Sequence, residues 1–273
     1  MSQTDKMLAR KEGGVGIVIF NNPERHNAVS LEMWDATKRI LDGFAADDDI
    51  RVVVLTGAGG KAFVSGADIS KFASERATVE AQRAYNLKSD AAYSSIAEFP
   101  KPTIAMIKGY CLGGGLGLAT CCDLRFCSDN SRFAVPAAKL GVGYGHKGLK
   151  RLVDIVGPAF AKEIFYTARQ FDANEALAMG LVNRVVPAAE LRAATLRYAK
   201  RLALVSPEAL RWGKRAINRG AEIAGLRAAI ESGADALVSL YATQTEVGRE
   251  FGQRVHDSGL KAALDWRRGQ FRE

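Results

Sequence analysis

The sequence holds little of what metal and nucleophile chemistry requires. Among its 273 residues stand three histidines, His26, His146 and His256, far apart and outside any His-x-x-x-His or His-Glu pairing, so no metal site is expected. Serine never occurs in Gly-x-Ser-x-Gly, which removes the usual hydrolase elbow. The four cysteines, Cys111, Cys121, Cys122 and Cys127, lack the paired spacing of a zinc site and are expected to be reduced core residues. No run approaches the roughly 20 apolar residues of a membrane span, and the opening Met-Ser-Gln-Thr-Asp-Lys has no apolar signal core. The expectation is a cytoplasmic protein with no membrane partner.

Hydrophobic residues make up 48% and charged residues 25%, the balance of a folded globular chain rather than a disordered one. The net charge of +8 comes mainly from late positions, Arg211, Lys214, Arg215 and Arg219, then Arg267, Arg268 and Arg272. Such an excess suits a polyanionic small molecule, nucleic acid or a solvated helix face. No helix-turn-helix, zinc-finger or RNA-recognition signature accompanies it, so nucleic acid is not the expected partner.

What is abundant is glycine, and it concentrates where the chain is most apolar. From Lys101 to Asp123 an apolar run, Ile104 to Ile107, reads as a buried strand; Gly113, Gly114 and Gly115 follow, then a small-residue run that reads as a buried helix. Glycines at such a junction allow a positive-φ turn and close approach of another atom, and the first helical turn leaves amide N–H groups without partners. Those amides could hold a phosphate or a developing oxyanion. The glycines could equally serve only to pack a core helix closely.

Val15 to Phe20 reads as a strand, Ser30 as the N-cap of a helix ending before Asp47, and Val52 to Leu55 as a strand followed by a glycine loop from Thr56 to Gly60. Ser74 to Glu98 has helical spacing, Leu124 to Cys127 and Arg132 to Val135 read as short strands, and Pro158 to Ala168 as a helix. Asp172 caps Ala173 to Met179, and Gly180 ends it. From Ala188 the pattern is helical, with Ser206-Pro207-Glu208 a start and Gly220 a stop. Repeated strand-to-helix connections predict an α/β fold with parallel strands. Gly143 to Gly148 matches G-x-G-x-x-G, but Glu163, at the acidic spacing, falls inside a helical pattern, which argues against a dinucleotide site. Gly57 to Lys61 lacks the first glycine and the Ser or Thr of a P-loop.

The chain resembles the crotonase, or enoyl-CoA hydratase and isomerase, superfamily. The resemblance rests on Asn21 to Ala28, Phe63 to Ile69, Gly109 to Asp123 and Ala176 to Asn183, in family order over the first 190 residues. It implies a spiral of ββα units over residues 1–190 and a helical region over 191–273 that closes the CoA site and builds homotrimers, often paired into hexamers. It further implies an acyl-CoA thioester, no cofactor beyond the CoA moiety, and a thioester oxygen held by the backbone amides of Ala67 and Gly114. Arg25, Ala28, Ser65, Asp68 and Ile69 are then expected along the CoA, with Arg267 and Arg268 near its phosphates.

The departures bear on the reaction. The family's hydratases carry two glutamates that activate water, at positions occupied here by Gly117 and Ala137, and neither replacement can transfer a proton. Ordinary hydration is therefore not expected unless Glu75, Glu80 or Glu98 substitutes. Leu140 to Tyr144 resembles a segment of the methylmalonyl-CoA decarboxylase branch, which makes Tyr144 a candidate proton donor and His146 and Lys147 candidate contacts for a substrate carboxylate. Gly143 replaces that branch's proline, and Ala67 stands where it has a histidine. An acyl-CoA-binding protein without turnover is the expectation of a different class.

Overall fold

The computed structural model describes residues 4–68, 78–140, 146–222 and 246–270, with the side chains of Val79, Gln82, Leu140, His146, Lys147 and Arg268 outside that description. Residues up to 99 together with 103–199 form one compact unit, and 100–102 with the chain from 200 onward form a second.

In the larger unit the strands alternate between two sheets. Strands β1 (Met7–Lys11), β2 (Val15–Phe20), β3 (Val52–Gly57), β5 (Thr103–Ile107), β7 (Leu124–Ser128) and β10 (Arg184–Val186) form one sheet in the order β1-β2-β3-β5-β7-β10. It is parallel apart from the antiparallel pair β1 and β2. Short strands β4 (Ala62–Val64), β6 (Tyr110–Leu112), β8 (Arg132–Ala134) and β9 (Phe171–Asp172) form the other. Strand β5 is buried at every position, which is why it reads as a continuous apolar run rather than an alternating one.

Strands β3, β5 and β7 each turn a corner into a short one, and a helix follows. Helix α1 (Leu31–Ala46) follows β2, α2 (Val79–Ala97) follows β4, α3 (Gly114–Cys121) follows β6, and α4 (His146–Thr167) comes after β8. This is the expected ββα repeat. The corners stack: Tyr110 N donates to Lys61 O at 3.1 Å and Arg132 N to Gly109 O at 3.1 Å. Gly109 has φ 70°, and a Cβ there would stand 2.0 Å from Lys61 O, so only glycine fits.

That corner corrects the expected pattern of strand, glycine turn, helix. The glycine turn is reached from β6, after the bend at Gly109, and not from the apolar run of β5. Three smaller differences remain, and in two of them, at Gly57 and Gly220, glycine weakens an element without ending it. Strand β3 runs through Thr56 and Gly57, where a loop was expected. Helix α4 begins at His146 and is broken at Gly157 (φ 75°), so Pro158 starts its second half. Helix α7 (Pro207–Glu222) passes through Gly220.

The ends of the central stretch are tied by Asp123, whose Oδ2 accepts Thr103 N at 2.8 Å and Thr103 Oγ1 at 3.0 Å. Asp172 caps α5 (Ala173–Ala178), as the sequence suggests, and Glu175 completes a reciprocal capping box with it. Buried Arg125 donates to Leu181 O at 2.7 Å and Cys122 O at 2.8 Å, linking the end of α3 to the loop before β10. Helix α6 (Leu191–Ala203) follows β10. In the second unit α7 and α8 (Glu246–Gly269) leave Ile217, Leu260 and Leu264 exposed.

All four cysteines are free and buried. Burial pushes the thiol of Cys121 up to about 11 and that of Cys127 up to about 12, and Cys111 well above its ordinary value. Thiolate is therefore scarce at pH 8, and the folded protein should take up almost no iodoacetamide there while the urea-unfolded chain labels at four sites, as intact mass would show. Rapid labelling of the folded protein would place a thiol at the surface.

Candidate active site

Three short segments meet at the ends of β4 and β6. The first follows β2: a 3-10 turn over Pro23–Arg25, then His26 and Asn27 in the left-handed region at φ 51° and 57°. Buried Asn27 holds this turn in place. Its Nδ2 donates to Ala58 O at 3.0 Å and Ala62 O at 2.8 Å, and its Oδ1 accepts Asn22 N at 2.9 Å.

The second segment, Ser65 to Asp68, runs alongside the first. Ser65 N donates to His26 O at 3.1 Å and Ser65 Oγ to Arg25 O at 3.3 Å. Val29 N donates to Gly66 O at 2.8 Å, and Asp68 N to Val29 O at 3.0 Å, a parallel bridge between Val29 and Ala67. In such a bridge Val29 bonds the residues on either side of Ala67, so the N–H of Ala67 points the other way.

The third segment is the glycine turn. Gly113 N donates to Ala134 O at 2.8 Å, and Gly114 is the first residue of α3, where an amide has no intrahelical acceptor. A Cβ built on Gly114 would lie 3.7 Å from Ala67 N, and one on Gly66 would lie 3.7 Å from Gly114 N, so the two amides lie close together. Among the described residues no backbone carbonyl takes either N–H. Gly115 makes the approach possible, because a Cβ there would stand 2.0 Å from Val64 O.

Arg25, Ala28, Ser65, Ala67, Asp68 and Gly114 are therefore brought together. Arg25 is exposed, Ala28 buried, and Ser65 and Asp68 partly buried. Ile69, Tyr144 and Glu75 lie outside the described residues. His146 and Lys147 open α4, with only their backbone described. Arg268 lies in α8, and Arg267 donates from Nη2 to Leu204 O at 2.9 Å within the second unit. Gly117 is buried in α3, and Ala137 lies in the 3-10 turn Pro136–Leu140, so neither position supplies a carboxylate. Glu80 and Glu98 are exposed at the two ends of α2.

Sequence reasoning overlooked Tyr93. Its Oη donates to Gly114 O at 3.2 Å, and its ring lies 5.2 Å from that of Trp34, which in turn donates from Nε1 to Tyr85 Oη at 2.8 Å. The available signal was helical spacing: Tyr85, Ser89, Ala92 and Ile96 mark the buried face of α2, and Tyr93 sits beside it.

At the opposite ends of β4, β6 and β8 lies a concave pocket lined by His26, Lys61, Tyr110, Asn130 and Arg132. The rings of His26 and Tyr110 meet edge-on at 6.0 Å. Among the described residues neither Lys61 nor Arg132 has a carboxylate partner, so the pocket is net positive. No group of three or more His, Cys, Asp or Glu side chains among the described residues could hold a metal ion. No described helix is long and apolar enough to cross a membrane.

Residues 10–252 match the family model described as enoyl-CoA hydratase/isomerase. The chain is 36% identical over 218 residues to a short-chain-enoyl-CoA hydratase of Clostridium acetobutylicum, covering 80% of this chain and 83% of the relative. It is 33% identical to a crotonyl-CoA hydratase of Syntrophomonas wolfei, over 98% of both. The solved structure of an enoyl-CoA hydratase/carnithine racemase from Magnetospirillum magneticum superposes with a TM-score of 0.77 at 41% identity, over 80% of this chain and 81% of that one.

Proposed function

Because the chain belongs to the enoyl-CoA hydratase/isomerase family, we propose that it binds an acyl-CoA thioester with the carbonyl oxygen between the amides of Ala67 and Gly114 and stabilises the enolate formed there. The observation that carries this reading is the close approach of two amide groups without backbone acceptors among the described residues, both at strand ends and one of them at a helix N-terminus. Donors fixed before reaction need not reorganise as charge moves onto the oxygen, and each is worth on the order of 3 kcal/mol of barrier.

The reaction we propose is enolate chemistry other than ordinary hydration, such as isomerisation or decarboxylation. Hydration needs a base for the attacking water and an acid for the α-carbon, and Gly117 and Ala137 offer neither. Decarboxylation needs only a stabilised enolate and a proton source, whereas isomerisation also needs a base to remove the first proton. Arg25, Ala28, Ser65, Asp68 and Ile69 would line the CoA. Lys61 and Arg132, about 10 Å from the glycine turn along three residues of short strand, offer the positive charge that its phosphates require. Exposed Ile217, Leu260 and Leu264 suit self-association, as a homotrimer or a dimer of trimers.

The test is to incubate the protein with crotonyl-CoA, methylmalonyl-CoA and a saturated acyl-CoA in deuterated water and to read the products by mass spectrometry. The expected result is deuterium at the α-carbon, or release of carbon dioxide, without 3-hydroxyacyl product. Hydration of crotonyl-CoA at an enzymatic rate would show that another carboxylate replaces the pair. Binding with no chemical change would make the protein an acyl-CoA carrier or sensor.

A further inference from the structure

If the thioester oxygen sits on Ala67 and Gly114, the enolate must still receive a proton at its α-carbon, and the two family acids are absent. Among the described residues, the hydroxyl of Tyr93 stands beside that spot. From the position a Cβ would take on Gly114, Tyr93 Oη is 3.2 Å away, Ala67 N 3.7 Å and Gly66 Cα 3.7 Å. Tyr93 Oη thus borders the same small volume as the two amides, and its bond to Gly114 O turns it toward the glycine turn.

The ring that carries this hydroxyl is held from behind. Trp34 lies against it at 5.2 Å and is itself fixed by the bond from its Nε1 to Tyr85 Oη. Both tyrosines lie on α2, and Trp34 on α1, so the phenol is presented by two packed helices rather than by a loop. Such support is what a group needs to meet a reacting atom repeatedly at one distance. The Gly114 carbonyl lies in the first turn of α3, where the helix already provides a donor four residues on, so satisfying that carbonyl does not by itself require a tyrosine.

We propose that Tyr93 is the catalytic acid of this site, donating the proton that quenches the thioester enolate. In the step, the Oη–H bond breaks and a C–H bond forms at the α-carbon from the electron pair of the enolate double bond, while the carbonyl re-forms. The tyrosinate left behind regains its proton from water. No oxidant, metal or co-substrate enters, and the step is the same whether the enolate arises by loss of carbon dioxide or by addition to an enoyl thioester. It rests on the proposed placing of the thioester oxygen, and its test separates the two.

Tyr93→Phe keeps the ring and its packing on Trp34 and removes the hydroxyl alone. Three quantities are read on wild type and variant: affinity for a saturated acyl-CoA by calorimetry, the carbonyl stretch of bound 13C-labelled thioester by infrared difference spectroscopy, and the rate of α-deuterium incorporation. The expected result is affinity within about 3-fold of wild type, an unchanged carbonyl shift, and incorporation slowed about 100-fold or more, the range of general acid catalysis. A variant that incorporates deuterium at the wild-type rate overturns the proposal. So does a variant whose carbonyl shift collapses with its rate, since Tyr93 would then only position Gly114. Wild type that binds thioester without incorporation also overturns it, leaving no proton to transfer. Wild type that shows no thioester binding at all removes the underlying reading as well.

Discussion

Replacing Gly114 with proline should lower turnover about 100-fold to 1,000-fold and leave acyl-CoA affinity within a few-fold, the loss seen when one oxyanion donor is removed. Gly114 is the first residue of α3, the helical position that tolerates proline best because its N–H has no intrahelical acceptor. Proline also excludes the α region for the residue before it, and Gly113, at φ 49° and ψ −115°, lies outside that region. The substitution therefore deletes one donor and leaves the helix start intact. Its Cβ does approach Tyr93 Oη at 3.2 Å, a tight contact. Gly114→Ala supplies the control, having the same Cβ with the N–H retained. Steady-state kinetics on both variants decides: a large loss in the proline variant alone assigns the effect to the amide position, where the N–H is lost and the ring Cδ takes its place, and equal losses assign it to crowding by the Cβ.

The reasons this site could be read in advance, and the reasons parts of it could not, differ by residue. Gly113, Gly114 and Gly115 were legible as a turn into a helix because the feature is carried by backbone: such a turn marks unpaired amides whatever the side chains around it. Ala67 could be placed only through family resemblance. Its proposed role depends on Val29, 38 residues earlier, bonding to both of its neighbours, and no local pattern records that bridge. Asn27 stood inside a quoted motif without a role, since holding Ala58 and Ala62 is a long-range contact. Tyr93 was passed over for a related reason. On a helix with many alanines Tyr93 reads, like Tyr85, as core, and only the packing of α2 on α1 and α3 turns its hydroxyl to Gly114. The parallel sheet was legible from the apolar runs of β3, β5 and β7. The short strands were harder, because three residues such as Tyr110–Leu112 carry too little pattern to separate from the turn that follows.

Gly115→Ala should cost stability as well as activity, by about 3 kcal/mol or more, the upper range for overpacking a core. At roughly 2–4 °C per kcal/mol for a chain of this size, thermal unfolding should fall by about 6–12 °C, readable by scanning calorimetry. The added methyl would stand 2.0 Å from Val64 O, 2.8 Å from Val64 C and 2.9 Å from Val64 Cβ, so the obstacle is mainly backbone and cannot rotate away. Strand β4 cannot recede easily, since it pairs with β6 and its Phe63 is wholly buried. Nor can α3 retreat freely, because Asp123 just beyond its end is bonded to Thr103 at the start of β5. Whatever movement does occur must open the gap between α3 and β4, which is the gap across which Gly114 and Ala67 face each other. Protein that still folds should therefore turn over more slowly than the Gly114→Ala control, although Gly115 itself contributes no donor to the proposed site. An unchanged melting temperature would mean that α3 slides along β4 at little cost, and the spacing of the two amides would then have to be set by the bound thioester rather than by the fold.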